Sequence, residues 1–185
     1  MTLNDILVNA LQQLDRGHDT MTLDIWRDKL TRFVNDGLFD LAAALKPSIT
    51  DRVLVEDGHF DLDDLSHRYM KVLRVEDEEG RIYGFRYGRG LGRIELRSKT
   101  PLNGVYVYVT YRPVINDLRS PTDVPELPEV MHPLLVSYTV GRERMSGEVG
   151  LQRGGSPHLA LYEQGKNTIV RQLCPEERFH IENKW

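Results

Sequence analysis

The stretch TLDIWRDKLTRFVNDGLFDLAAALKPSITDRVLV, residues 22–55, changes its hydrophobic period part-way along. Up to Pro47 the apolar residues Trp26, Leu30, Phe33, Val34, Leu38, Leu41 and Leu45 recur in steps of three and four, which places them on one face of an α-helix. Thr22 is expected to cap this helix. Pro47 stops it, because a proline disfavours helical backbone in the residue before it. Beyond Pro47 the step becomes two: Val53 and Val55 alternate with polar residues, as one face of a strand does. A helical protein interrupted by β-structure is expected, and both flanks extend the pattern.

Upstream, Leu3, Ile6, Leu7, Ala10, Leu11 and Leu14 form a stripe over about three helical turns, with Thr2 as cap and Asp5 as its capping-box partner. The polar run DRGHDT, residues 15–20, separates the two helices. Downstream, residues 51–113 read as short strands and turns. Met70, Val72 and Val75 alternate less cleanly, and EDEEGR (76–81) is a hairpin turn with Gly80 at the awkward backbone angle. Ile94 and Leu96 lead to a second turn at Asn103-Gly104, the strongest short hairpin signal present. In VYVYVTY (105–111), Val105, Val107 and Val109 share one face, with Tyr106 and Tyr108 on the other. One small antiparallel sheet is expected.

Helical spacing returns after a proline-rich connector, residues 119–129. Val130, Leu134, Leu135 and Tyr138 line a third helix, which must begin near His132 if Pro133 is not to cost a backbone bond. After a glycine-rich loop (147–156), Ser156-Pro157 caps and opens a fourth helix with Leu159, Tyr162, Ile169, Val170 and Leu173 inward, ended by Cys174-Pro175. The expected fold class is α+β. A discontinuous four-helix bundle (residues 1–50 and 119–174) carries a small antiparallel β-sheet inserted between helices 2 and 3 (51–118), and an extended C-terminal tail follows (175–185). Repeats and low-complexity tracts are absent.

A chain of 185 residues with 40% hydrophobic and 28% charged residues has the balance of a globular protein. Its single cysteine, Cys174, allows no internal disulfide and is expected to pack. Neither a membrane span nor a secretory leader is expected: no apolar run is long enough, and the first residues carry Asp5 with no basic cluster. With 24 Lys and Arg against 28 Asp and Glu, the formal charge is −4, unlike a surface built throughout to grip nucleic acid.

Several stretches invite a chemical reading. HFDLDDLSH holds His59, Asp61, Asp63, Asp64 and His67, but lacks the Gly and Glu of a calcium loop, so a solvated acidic turn is expected. GRGLGR (88–93) resembles a phosphate cradle, yet RIELRS after it reads as a strand, not the helix whose N-terminus would face phosphates. Residues 51–79 carry ten acidic side chains, whereas 81–119 hold Arg81, Arg86, Arg89, Arg93, Arg97, Lys99, Arg112 and Arg119. Opposed charges on neighbouring strands, or a contact between identical subunits, explain this without a ligand. A nucleic-acid surface with Tyr106 and Tyr108 as stacking platforms is the alternative. No nucleophile stands beside a convincing base, and Glu176 and Glu177 sit in a tail that nothing holds rigid.

IWRDKLTRFVNDGLFDLAAALKP resembles the signature of tailed-bacteriophage head–tail adaptor (connector) proteins: a Trp, an aliphatic helix with an Asn-acidic-Gly step, then a Pro. Here these are Trp26, Asn35, Asp36, Gly37 and Pro47. DVPELPEVMHPLLVSYTVGRERM resembles the family's Pro-x-x-Pro helix with a following Tyr, and HLALYEQGKNTIVRQL its last helix; the positions are Pro128, His132, Tyr138 and Tyr162. The resemblance spans residues 3–173 in element order, with residue detail in the two helical strings. Read physically, Trp26 is a core anchor, and Gly37 implies close approach of another helix. Asn35 is open between a backbone bond and a solvent-facing place.

What the resemblance implies is mechanical. Such proteins form a ring, usually of twelve copies, beneath the twelve-subunit portal. The ring extends the DNA channel and offers a platform for the tail or neck, with no cofactor, no reaction and no membrane. The genome passes without specific binding, since each neutralised phosphate would add affinity. The expected location is the virion neck, and the host cytoplasm during assembly. Arg93 and Arg97 are expected at subunit contacts made by the β insertion. The tail, with Glu176, Arg178, Phe179, Ile181 and Trp185, is expected to dock on the portal through its aromatic anchors. A phage nucleic-acid-binding protein such as a small packaging subunit is the alternative, and a small hydrolase at the acidic turn a third reading. Against the second stands the DRGHDTMT linker, about twice a helix-turn-helix turn.

Overall fold

Thr2 and Asp5 exchange bonds at the start of the first helix: Asp5 N–H donates to Thr2 Oγ1 at 3.2 Å and Thr2 N–H to the Asp5 carboxylate at 2.8 Å. The computed structural model describes residues 1–17, 19–88, 92–98, 102–146 and 155–173. This capped helix is α1 (Leu3–Gln13). The second, α2 (Thr20–Leu45), starts earlier than expected. Its cap is Asp19, whose carboxylate accepts Thr22 N–H at 3.1 Å and the Thr22 hydroxyl at 2.8 Å, so Thr22 is the donor and not the cap. A carboxylate there also meets the positive end of the helix dipole.

The chain divides into two compact units, one of Met1–Leu45 with Ile115–Trp185, the other of Lys46–Val114. These boundaries differ from 50/51 and 118/119. Ile49 and Thr50 pair with Tyr111 and Thr110 in a sheet, and Ile115 and Leu118 are buried in the helical core.

In the helical unit, α3 (His132–Ser146) follows a short 3₁₀ turn, Glu129–Met131. Pro133 therefore lies in the first turn of α3, where its missing N–H is no loss. Val130 belongs to the 3₁₀ turn and is exposed, which corrects its expected place on the inner face. The fourth helix, α4 (Gly155–Leu173), begins one residue before the expected Ser156 cap. Its last residue, Leu173, is exposed and not inward. The stripes of α1 and α2 meet Leu135, Val136 and Val140 of α3 and Tyr162 of α4 in one core. Trp26 is only half-buried: the Arg16 guanidinium stands 4.1 Å above its ring and the Lys29 ammonium 5.3 Å away, so it caps the core edge as a cation–π partner.

The β unit holds two three-stranded antiparallel sheets where one was expected. β1 (Ile49–Val55), β6 (Val105–Pro113) and β3 (Tyr69–Glu76) form the first in that order. β2 (His59–Asp61), β5 (Arg93–Arg97) and β4 (Gly84–Tyr87) form the second. Gly80 does take positive φ in its turn, and the chain closes back on the end of β3 through the Glu76–Ile82 bridge and the Tyr83 N–H to Val75 C=O bond of 2.9 Å, before β4 goes on to pair with β5. Gly104 likewise has φ of 69°, yet Asn103-Gly104 joins strands of different sheets, and the Gly104 N–H closes on Val55 C=O at 2.9 Å. Two register shifts in β3 set Val72 and Val75 both inward, which is why Met70, at 66% exposure, falls out of the pattern.

Candidate functional site

Three residues of α2, Asn35, Gly37 and Asp40, spread over about a turn and a half, meet Leu118, α3 and α4 in turn. The Asn35 amide reads a backbone unit: Nδ2 donates to Leu118 C=O at 3.1 Å, and Leu118 N–H donates to Oδ1 at 2.9 Å. Gly37 faces α3 so closely that a Cβ there would lie 2.8 Å from Tyr138 Cδ1, as the helix-interior glycine implied. The Tyr138 ring meets Tyr162 of α4 edge-on, with centroids 4.9 Å apart. Tyr162 is 1% exposed, and its hydroxyl donates a short hydrogen bond to Asp40 Oδ2. Lys166, one turn further along α4, donates to the same oxygen at 2.8 Å and to Glu163 at 2.9 Å.

The connector is fixed from the other side. The Asp123 carboxylate accepts Arg119 and Ser120 N–H, each at 2.8 Å. The Asp123 and Pro121 carbonyls then accept Leu3 and Asn4 N–H, two donors that α1 cannot satisfy itself. Pro128 is exposed and its carbonyl accepts Met131 N–H at 2.8 Å, opening the 3₁₀ turn. His132 is 1% exposed: Nε2 lies 3.0 Å from Leu127 C=O, so it carries the proton, and Nδ1 accepts from the Met1 nitrogen at 2.9 Å.

Burial would raise the Asp40 pKa, but the hydrogen bonds from Lys166 and Tyr162 and the lysine's charge outweigh it and hold the carboxyl below its ordinary 3.8. Burial, then the bond to Asp40 and its charge, push the Tyr162 phenol far above its ordinary 10.0. The signs are opposite in effect. Asp40 contributes stability above pH 3.8 that is lost as acid protonates it; Tyr162 contributes stability below pH 10.0 that is lost as base favours the ionised, unfolded phenol. Melting temperature followed against pH should therefore fall less steeply in acid for Asp40→Asn and less steeply in base for Tyr162→Phe. Unchanged limbs would contradict the coupling.

In the β unit Arg93 Nε donates to Asp61 at 2.9 Å, and Arg86 Nε to Glu95 at 2.6 Å, so opposed charges on neighbouring strands do meet. Arg97 makes no ion pair among the described residues. GRGLGR spans the connection from β4 to β5, which pair antiparallel, and no helix follows it. His59 and Asp61 lie on β2, Asp63 and Asp64 on a 3₁₀ turn; among the described residues no three such side chains gather to hold a metal ion. Asp51 instead gathers the Ser66 N–H (2.7 Å), the Ser66 hydroxyl and the Tyr111 hydroxyl (2.8 Å), stapling that loop to the sheet. The tail positions Glu176, Arg178, Phe179, Ile181 and Trp185 lie outside the described residues, as do Cys174, Arg89 and Lys99.

Sequence reasoning missed Asp40 and Lys166, whose only signal is the i, i+4 spacing of Lys166 from Tyr162. It also missed Asp51, Ser66 and Asp123. No protein-family model matches the chain, and no curated protein matches it. Among the described residues no helix is long and apolar enough to cross a membrane.

Proposed function

We propose that the chain is a virion structural protein, a head–tail adaptor that forms a ring, of twelve copies, beneath the portal. It extends the DNA channel there and receives the tail or neck. The observation that carries the reading is the packing of the two family-like strings on each other at the Gly37–Tyr138 contact, beside which Asn35 clasps Leu118, just before the connector. Asn35, Gly37, Tyr138 and Tyr162 thereby form one connected set of contacts that fixes how three helices and the connector meet. In this reading the chain does structural work, with no reaction and no cofactor. The connection between α1 and α2, residues 14–19, is longer than a helix-turn-helix turn of about three or four residues, which favours the adaptor over a packaging-type DNA-binding subunit.

The β insertion contacts the neighbouring subunit in this reading. Of Arg93 and Arg97, Arg97 is left for that contact, because Arg93 is bound to Asp61. Residues 176–185 dock on the portal, with Phe179, Ile181 and Trp185 filling grooves and Glu176 and Arg178 at the rim. The protein works in the virion neck after assembling in the host cytoplasm. The full chain is expected to co-sediment with portal rings, and a chain ending at Pro175 to stay folded but in the supernatant. Truncated protein that still sediments with portal would remove the docking role, and failure of the full chain to sediment would remove the adaptor reading.

A further inference from the structure

Residues directly opposite in antiparallel strands share a face of the sheet. On the outward face of β1-β6-β3 the central strand carries Tyr106 and Tyr108, two residues and so about 7 Å apart. Tyr106 is 43% exposed, and the Arg52 guanidinium lies 3.9 Å over its ring. Arg52 and Arg74 are neutralised by Glu78 and Glu76. The last row is not. Lys71 of β3 stands opposite Arg112 of β6, a like-charge pairing that works against the sheet. Among the described residues neither cation meets an acceptor, and Arg112 Nε is shielded from water without a partner. An anion supplied from outside would turn this repulsion into attraction.

We propose that this face binds single-stranded nucleic acid, with Lys71 and Arg112 taking backbone phosphates and Tyr106 and Tyr108 stacking bases. A carboxylate-rich protein would use the cations and leave the rings idle. A duplex keeps its base faces stacked within and would also leave them idle. Cations further along the same outward face as the exposed Tyr106 and the half-buried Tyr108 of the central strand satisfy both halves of a single strand. The overall charge of −4 does not oppose this, since screening confines the field to about 10 Å. Neither ring nor portal is needed for the binding, so its outcome stands apart from the adaptor reading.

The test is fluorescence anisotropy of a labelled twelve-nucleotide oligothymidine with the full chain across a salt series. Binding should weaken with salt, and Lys71→Gln with Arg112→Gln should reduce affinity at least ~10-fold and flatten the log–log salt slope by about 1.4. Because the double change relieves a like-charge pair, its melting temperature should stay level or rise, which separates lost binding from lost folding. Tyr106→Ala and Tyr108→Ala should each weaken binding ~5-fold or more with the slope kept. No binding by the wild type in about 50 mM salt, tyrosine variants that bind as well as it, or displacement of the oligonucleotide by polyglutamate would overturn the proposal.

Discussion

Asn35→Ala should lower the stability of the helical unit by about 2–3 kcal/mol, seen as a lower urea midpoint with unchanged slope. The amide makes two hydrogen bonds to one backbone unit, and Leu118, which carries that unit, is 4% exposed. Alanine leaves an N–H and a C=O unpaired together, and a buried unpaired group costs about 1–3 kcal/mol. Half-burial of Asn35 admits some water to them, so the sum stays below twice the upper figure. Asn35→Asp is no rescue, because it keeps an acceptor for Leu118 N–H but turns a charged oxygen on the Leu118 carbonyl. A loss under about 0.5 kcal/mol in both variants would contradict the clasp.

Gly141→Val should be the most damaging small substitution in α3, at about 3 kcal/mol or more, with Gly141→Ala costing about 1–2. A Cβ at Gly141 would lie 2.7 Å from Leu159 Cγ and 3.2 Å from the Leu159 backbone nitrogen. Turning the leucine side chain does not relieve the second contact, so α4 itself must move away from α3. Gly165 of α4 is the instructive opposite: a Cβ there meets Leu134 Cδ2 at 2.5 Å, but that is the free end of a side chain. Leu134 swings aside, and the roughly 1 kcal/mol that alanine gains over glycine in a helix offsets most of the cost. Gly165→Ala should therefore unfold within about 1 kcal/mol of the wild type. Urea titration of the three variants gives the order directly, and Gly141→Ala as stable as the wild type would contradict the close approach.

These two glycines show what the sequence made legible and what it did not. Gly37 stands mid-helix with a strong apolar stripe on either side, so its cost demanded a neighbouring helix, and Tyr138 is there. Gly141 and Gly165 sit among polar residues, and their meaning depends on which face of another helix they oppose. Several local signals fared well: the Thr2–Asp5 capping box, the positive φ of Gly80 and Gly104 and the alternation of β6 depend on residues a few positions apart, although Asp19 and not Thr22 caps α2. Strand partners did not. Seven residues separate β5 from β6, too many for a two-residue hairpin; β4 and β5 pair as neighbours, but β1, β2 and β3 found their partners far away in the chain. The bulges of β3 hid a regular face behind an irregular spacing.

The polar contacts divide the same way. Asn35 was open between backbone and water because Leu118, its partner, lies 83 residues on. Asp40 and Lys166, 126 residues apart, gave no common signal at all. The acidic and basic halves of the β insertion were legible as opposites, and Asp61 with Arg93 shows them meeting across strands.

The mass of the assembly formed when the full chain is mixed with portal rings tests the adaptor reading most directly. That reading requires a single larger particle, heavier than the portal by about twelve chains of 21.4 kDa. A portal peak that keeps its mass, beside a chain that stays monomeric at every concentration, would contradict it.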